Sequence, residues 1–269
     1  MDMRAEVYSP LQNTAVWLGA WLYGYVSTDD LLDALTELGG RPQGTDGESF
    51  STVLARLRQV TADVLVATSP EPVLRLVLSG PGEPPVLPAG SVSADAAAVN
   101  PAGALIVRTS QPDRNVVLIP QATDSGQVWQ VIEETQPLPA PAWLSPGDAD
   151  AALVQATNQA AALIESQVGQ VDSATRALGM HGTRLPNPRL TIGTLSDFYD
   201  APGLPPATSP RAAKLFARAD RVAAIIETVT DRLGDHSLDP QLLALWRPLR
   251  QTRMAGVAHA LSEFARGRN

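Results

Sequence analysis

All strand-like runs of this sequence lie before a proline cluster, QPLPAPAWLSPGD, at residues 136–148. Five short runs rich in β-branched residues, separated by turn residues, have the composition of strands; they occupy 64–68, 73–79, 104–110, 115–120 and 127–133. The last three are joined by short loops, whose length favours hairpins over crossover helices. The pattern predicts a mainly antiparallel sheet of about four to five strands.

Helical periodicity flanks these runs on both sides. Residues 13–40 predict a helical hairpin, because two apolar stripes at helical spacing are separated by Gly24 and by Ser27, an N-cap residue with Asp30 three places later. A third helix is predicted at 50–60, and further helices follow Asp148 and Pro210. We therefore predict an α+β fold in which an N-terminal helical hairpin and a C-terminal helical layer flank the sheet.

Charge and composition divide the 269 residues into two parts. Residues 1–140 are predicted to hold the N-terminal helices and the antiparallel sheet, and 141–269 to be mainly helical with a long loop at 179–209. Up to residue 150 there are seven basic and eighteen acidic residues, net −11, whereas 151–269 hold thirteen and ten, net +3. This difference favours tight docking of the two parts, although head-to-tail self-association would satisfy it equally.

Several classes of function are disfavoured by composition. The chain has no cysteine, so thiol catalysis and cysteine metal sites are excluded, and its net charge of −8 disfavours nucleic-acid binding. No phosphate-binding, dinucleotide-binding, serine-hydrolase or zinc-protease motif is present. We expect a soluble, cytoplasmic protein with no membrane span, no signal peptide, no cofactor and no metal site.

Two features are candidates for a partner interface or a homodimer interface. The aromatic side chains Trp17, Trp21 and Tyr25 lie on one stripe of the first helix, where they either pack into the protein's own core or form a contact surface. The helix after Pro210 carries basic side chains along one flank of its apolar stripe. These side chains either extend beside a buried stripe or dock on an acidic surface. They are Arg211, Lys214, Arg218 and Arg221.

The long loop at 179–209 is the candidate ligand site. Loops of this length in compact chains are either functional or disordered, and this one is too apolar for plain disorder. Its polar residues could form a pocket for an anion or an acid/base pair, or they could fasten the loop to the sheet; they are His181, Arg184, Arg189, Asp197, Tyr199 and Asp200.

These observations favour a non-catalytic interaction protein, such as an adaptor, a chaperone-like protein or a regulatory scaffold. The alternatives are an enzyme whose loop at 179–209 covers a cleft, and a protein that binds an anionic small ligand through Arg184 and Arg189. No catalytic residue is assigned from the sequence.

Overall fold

A computed structural model describes residues 10–67, 71–80, 86–100, 103–111, 113–140, 144–177, 203–233 and 239–268. Within them lie seven α-helices and five strands, which confirms the predicted α+β class. The helices are α1 Leu11–Leu22, α2 Thr28–Gly39, α3 Phe50–Val66, α4 Val92–Ala98, α5 Pro146–Ala177, α6 Pro210–Leu233 and α7 Asp239–Arg268. The strands are β1 Pro42–Gly44, β2 Leu74–Val77, β3 Ala104–Arg108, β4 Asn115–Thr123 and β5 Gly126–Glu134.

The predicted helical hairpin is formed by α1 and α2. Gly24 has a φ of +83°, a conformation that glycine adopts without strain, and it lies between the two helices. Ser27 and Asp30 form a capping box in which the Ser27 hydroxyl accepts the Asp30 backbone N–H at 3.0 Å. The hydrogen bonds from Ser27 also lower the pKa of the Asp30 carboxyl. The turn therefore satisfies the donors at the start of α2.

The sheet has the strand order β1-β5-β4-β3-β2, and every neighbouring pair is antiparallel except β1 with β5. Four of the five predicted strands are confirmed as β2 to β5. The predicted strand at 64–68 is wrong, because Val64 and Leu65 continue the apolar stripe of α3 and pack on the core as part of that helix. The parallel strand β1 was not predicted, since its three residues carry no periodic pattern.

Each face of the sheet packs on a different layer. Leu105, Val107 and Trp129 face a large core shared with α1, α3 and α7. The opposite face, which we call the outer face, carries Val77, Ile106, Val117 and Ile119, and it packs on Leu87 and α4. The described segment 86–100 therefore covers this face of the sheet. This outer face leads directly to the candidate site.

The C-terminal helices α5, α6 and α7 pack on one another around their own apolar cluster, which includes Leu153, Ile226 and Trp246. The last turns of α7 also enter the large core, where Leu261 and Phe264 meet α1. Among the described residues, no helix combines the length and the apolar character required to cross a membrane.

Candidate functional site

A groove of about 850 Å³ opens where β2 and β4 begin and β3 and β5 end. In an antiparallel sheet these four strand termini lie at one end, so their side chains and turns converge there. The end of α3 and the proline-containing segment 136–140 form the remaining walls. The polar lining residues are Asp63, Glu71, Arg75, Arg108, Thr109, Ser110, Gln111, Asp113, Asn115, Thr135 and Gln136.

The strand register places a polar row across the outer face at this end. Arg108 pairs with Asn115, and Asn115 pairs in turn with Glu134. Arg75 lies opposite Ile106 and therefore shares this face, because side chains on a strand alternate between the two faces. The row thus ends the apolar outer face with two guanidiniums, an amide and a carboxylate.

The Asn115 side chain lines the groove and is only 9% exposed. Its amide makes no hydrogen bond to any part of the chain that the structure describes. The amide oxygen and nitrogen of Asn115 are not fully enclosed, so they are open to the groove. The groove therefore presents a hydrogen-bond donor and an acceptor that a ligand can reach.

The two arginines lie close enough for their charges to interact. Burial lowers the pKa of Arg75, the nearby Arg108 lowers it further, and Glu71 acts in the opposite direction. Arg108 donates from Nη1 to the Glu71 carbonyl oxygen at 2.7 Å, and its Nε lies 3.5 Å from the Glu71 carboxylate. Arg75 donates one long hydrogen bond, from Nη1 to the Pro139 carbonyl oxygen at 3.4 Å. The guanidinium of Arg75 is thus held weakly at the groove.

Glu134 does not line the groove, and its carboxylate is held by hydrogen bonds within the chain. The Ser93 hydroxyl donates to its Oε2 at 2.5 Å and the Gln136 backbone N–H donates to its Oε1 at 2.9 Å. Burial acts to raise the pKa of Glu134, but the hydrogen bonds from Ser93, Gln136 and Ser91 together outweigh burial, so the pKa is lowered. The ionised carboxylate anchors α4 and the start of segment 136–140 to the sheet.

The groove is lined by carboxylates and by the hydroxyls of Thr109 and Ser110. Its described lining residues include no histidine, lysine, cysteine or tyrosine. The Thr109 hydroxyl lies within hydrogen-bonding distance of two backbone carbonyl oxygens, those of Gln111 and Arg114. The arrangement is suited to holding a polar ligand.

The predicted loop site lies outside the described residues and stays a prediction. Its residues are His181, Arg184, Arg189, Asp197, Tyr199 and Asp200.

The aromatic candidates are in three different environments. Trp21 is 2% exposed, donates from Nε1 to the Thr28 hydroxyl at 3.0 Å and has the Arg58 guanidinium 4.3 Å from its ring centroid. Trp17 is half-buried and donates to the Gly203 carbonyl oxygen at 3.0 Å, and Tyr25 is 38% exposed and donates to the Phe264 carbonyl oxygen. Trp21 therefore belongs to the core of the chain.

The basic candidates on α6 are all exposed. Arg218 forms an ion pair with Asp150 of α5 at 2.7 Å. Lys214 and Arg221 have no ion pair among the residues that the structure describes. The structure brings the four cations to one helix, and it brings none of them to the groove.

Sequence reasoning missed the groove, although its residues left a signal. Arg75 and Arg108 are single charges inside or at the end of otherwise apolar strand runs, VLRLVLS and ALIVRTS. An alternating pattern assigns them to one face, but only the strand order shows that they are neighbours. Asn115 opens its strand and looks like an ordinary turn residue in sequence.

Comparison with protein families gives two matches. Residues 12–144 match the family described as Rv1486c-like protein, N-terminal domain, and residues 147–254 match Rv1486c-like protein, C-terminal domain. The two domains follow each other in order and together span most of the chain, which therefore belongs to the Rv1486c-like proteins. Searches of curated proteins and of solved structures found no match. The whole groove lies in the part that matches the N-terminal domain.

Proposed function

We propose that this Rv1486c-like protein is a non-catalytic binding protein that holds a small anionic ligand in the groove at the end of its sheet. One observation carries the proposal: Asn115, only 9% exposed as a residue and with an amide that has no hydrogen-bond partner among the described residues, lines the same groove as Arg75 and Arg108.

A bound ligand would provide hydrogen-bond and ion-pair partners for the Arg75 guanidinium and the Asn115 amide. Burial is the main cause that lowers the pKa of Arg75, and an anion beside this guanidinium would favour its charged form. A guanidinium donates two parallel hydrogen bonds to a carboxylate or a phosphate, and such charge-assisted bonds are about twice as strong as neutral ones. The Asn115 amide would donate to or accept from the same ligand.

Local contacts rather than the overall charge would attract the ligand. The first 150 residues have a net charge of −11, so the long-range field of this part repels anions. Screening reduces such long-range effects over about 8–10 Å in physiological salt, whereas contacts inside the groove are screened much less. Binding is therefore expected to be selective, with a modest association rate.

The experiment is a ligand titration observed by nuclear magnetic resonance. Valerate and inorganic phosphate are added separately to ¹⁵N-labelled protein while the side-chain signals of Asn115 and Arg75 Nε–H are followed. We expect at least one anion to shift both signals with a saturable dependence on its concentration.

Arg75→Gln is the test variant and Arg114→Gln the matched control. Arg114 lies near the same sheet end, is more than half exposed and is outside the groove lining. We expect Arg75→Gln to weaken binding about tenfold or more, as for loss of a hydrogen bond to a charged group, while Arg114→Gln binds as the unmodified protein does. If neither anion shifts the Asn115 and Arg75 signals, or if Arg75→Gln binds normally, the proposed function is wrong.

A further inference from the structure

We infer that the ligand of this groove is a zwitterion, an amino acid or short peptide that presents an ammonium group as well as a carboxylate. The inference rests on the proposed function and names its ligand class. It is drawn from the carboxylates of the groove, which a simple anion would leave unmatched.

Three acidic and two basic side chains line the groove. Glu71 and Arg108 are paired with each other. Asp63, in the last turns of α3, and Asp113, in the turn between β3 and β4, form no ion pair with any described residue. Arg75 also forms none in the described part of the chain. The groove thus combines one available cation with two available carboxylates.

This balance discriminates between classes of ligand. A phosphate or a dicarboxylate could bind Arg75, but its second negative charge would lie in a groove where carboxylates outnumber guanidiniums. Like charges in one groove repel each other, and because Asp63 and Asp113 are exposed, this repulsion is moderate and sensitive to salt. A ligand with one carboxylate and one ammonium group matches both kinds of charge.

The size of the groove and its Asn115 amide suit the same class of ligand. Its volume of about 850 Å³ lies in the upper part of the range for small-molecule pockets, about 300–1,000 Å³. The wall formed by Thr135, Gln136 and segment 137–140 follows directly on the end of β5. In this wall the Gln136 N–H is bonded to Glu134, and Pro137 and Pro139 have no N–H. The Asn115 amide is the donor and acceptor that the groove offers to a peptide unit.

The test uses three probes of similar length in the same magnetic resonance titration: 5-aminovalerate, valerate and pentylamine. The first carries both charges, the second only the carboxylate and the third only the ammonium group. We expect 5-aminovalerate to bind more tightly than valerate by about threefold to fivefold, the range for one half-exposed ion pair, and more tightly than pentylamine.

Two variants test which groove residues contact the ammonium group and which contact the carboxylate of the ligand. The double variant Asp63→Asn/Asp113→Asn is expected to remove the advantage of 5-aminovalerate over valerate and to leave valerate binding equal or stronger. Arg75→Gln is expected to weaken both carboxylate probes. The dipeptide Gly-Gly and its N-acetyl derivative, which lacks the ammonium group, are expected to repeat this contrast.

The outcomes separate the inference from the proposed function. If valerate binds as tightly as 5-aminovalerate and Arg75→Gln weakens both, the groove is an anion site and the zwitterion inference is wrong. If the advantage of 5-aminovalerate survives in the Asp63→Asn/Asp113→Asn variant, the inference is wrong as well. If none of the probes shifts the Asn115 signal, both the inference and the proposed function fail.

Discussion

A buried ion pair between Asp220 and Arg253 is expected to contribute strongly to stability. Arg253 on α7 donates from Nη1 to the Asp220 carboxylate on α6 at 2.6 Å, and the two side chains are 1% and 8% exposed. The same Nη1 lies 2.6 Å from Oε1 of Gln12 on α1. One guanidinium therefore joins the first helix to the C-terminal layer, and we predict that Asp220→Asn destabilises the whole chain.

The expected magnitude follows from what the substitution leaves behind. Asparagine keeps the shape of the side chain but removes the negative charge, so Arg253 remains charged and buried. Removing one partner of a buried pair typically costs about 3–5 kcal/mol. Gln12 still accepts one hydrogen bond from Arg253, which places the expected loss near the lower end, about 3 kcal/mol, or about two orders of magnitude in the folded-to-unfolded ratio.

The assay is urea unfolding at neutral pH, followed by far-ultraviolet circular dichroism and by tryptophan fluorescence. Asp150→Asn is the matched control, because Asp150 pairs with Arg218 of the same α6 at 2.7 Å while both side chains stay partly exposed. This exposed pair is expected to contribute about 1 kcal/mol or less.

A second comparison separates charge from packing. In the double variant Asp220→Leu/Arg253→Met both charges are removed together, and a buried pair replaced by apolar groups of similar size is often neutral or stabilising. We expect the double variant to be more stable than Asp220→Asn. The reasoning is refuted if Asp220→Asn costs no more than Asp150→Asn, or if the double variant is the less stable of the two.

Two further predictions concern the core and the anchor of α4. Trp21→Ala is expected to destabilise the chain by about 3–5 kcal/mol in urea unfolding, because a buried tryptophan is replaced by a cavity; Trp17→Ala should cost less, and equal small losses in both would contradict the assignment of Trp21 to the core. The Glu134 carboxyl has a lowered pKa in the folded chain, so its contribution to stability is present above the ordinary glutamate range and is lost as the pH falls through the folded-state pKa. Glu134→Gln should therefore be less stable than the unmodified protein at pH 7, and the difference should shrink at acidic pH; a difference that is independent of pH would show that the charge is irrelevant.

The elements that sequence predicts well are those with a local cause. The hairpin of α1 and α2 follows from Gly24, Ser27 and the two apolar stripes, which act within a few residues of one another. Four strands follow from β-branched runs and short loops. The wrong prediction at 64–68 has a physical reason too. Packing on the core overrides the low helix propensity of valine, because Val64 and Leu65 continue the apolar stripe of α3.

The groove could not be predicted because its parts meet only through strand order. Arg75 and Asn115 are forty positions apart in sequence and are brought to one sheet end by two antiparallel pairings through β3. No sequence motif indicates that these residues are neighbours. The loop site at 179–209, whose polar residues are contiguous in sequence, lies outside the described residues and stays a prediction.

The position of Arg75 argues that stability alone does not account for this groove. Its neighbours on the outer face, Val77, Ile106 and Val117, are buried apolar residues, so an apolar side chain at position 75 would extend a well-packed surface. A guanidinium there is partly desolvated, which disfavours its charged form. Sequences that break a local rule in this way usually do so at functional sites. The same reasoning applies to Asn115, two strands further on at the start of β4, and the proposed ligand would satisfy both groups together.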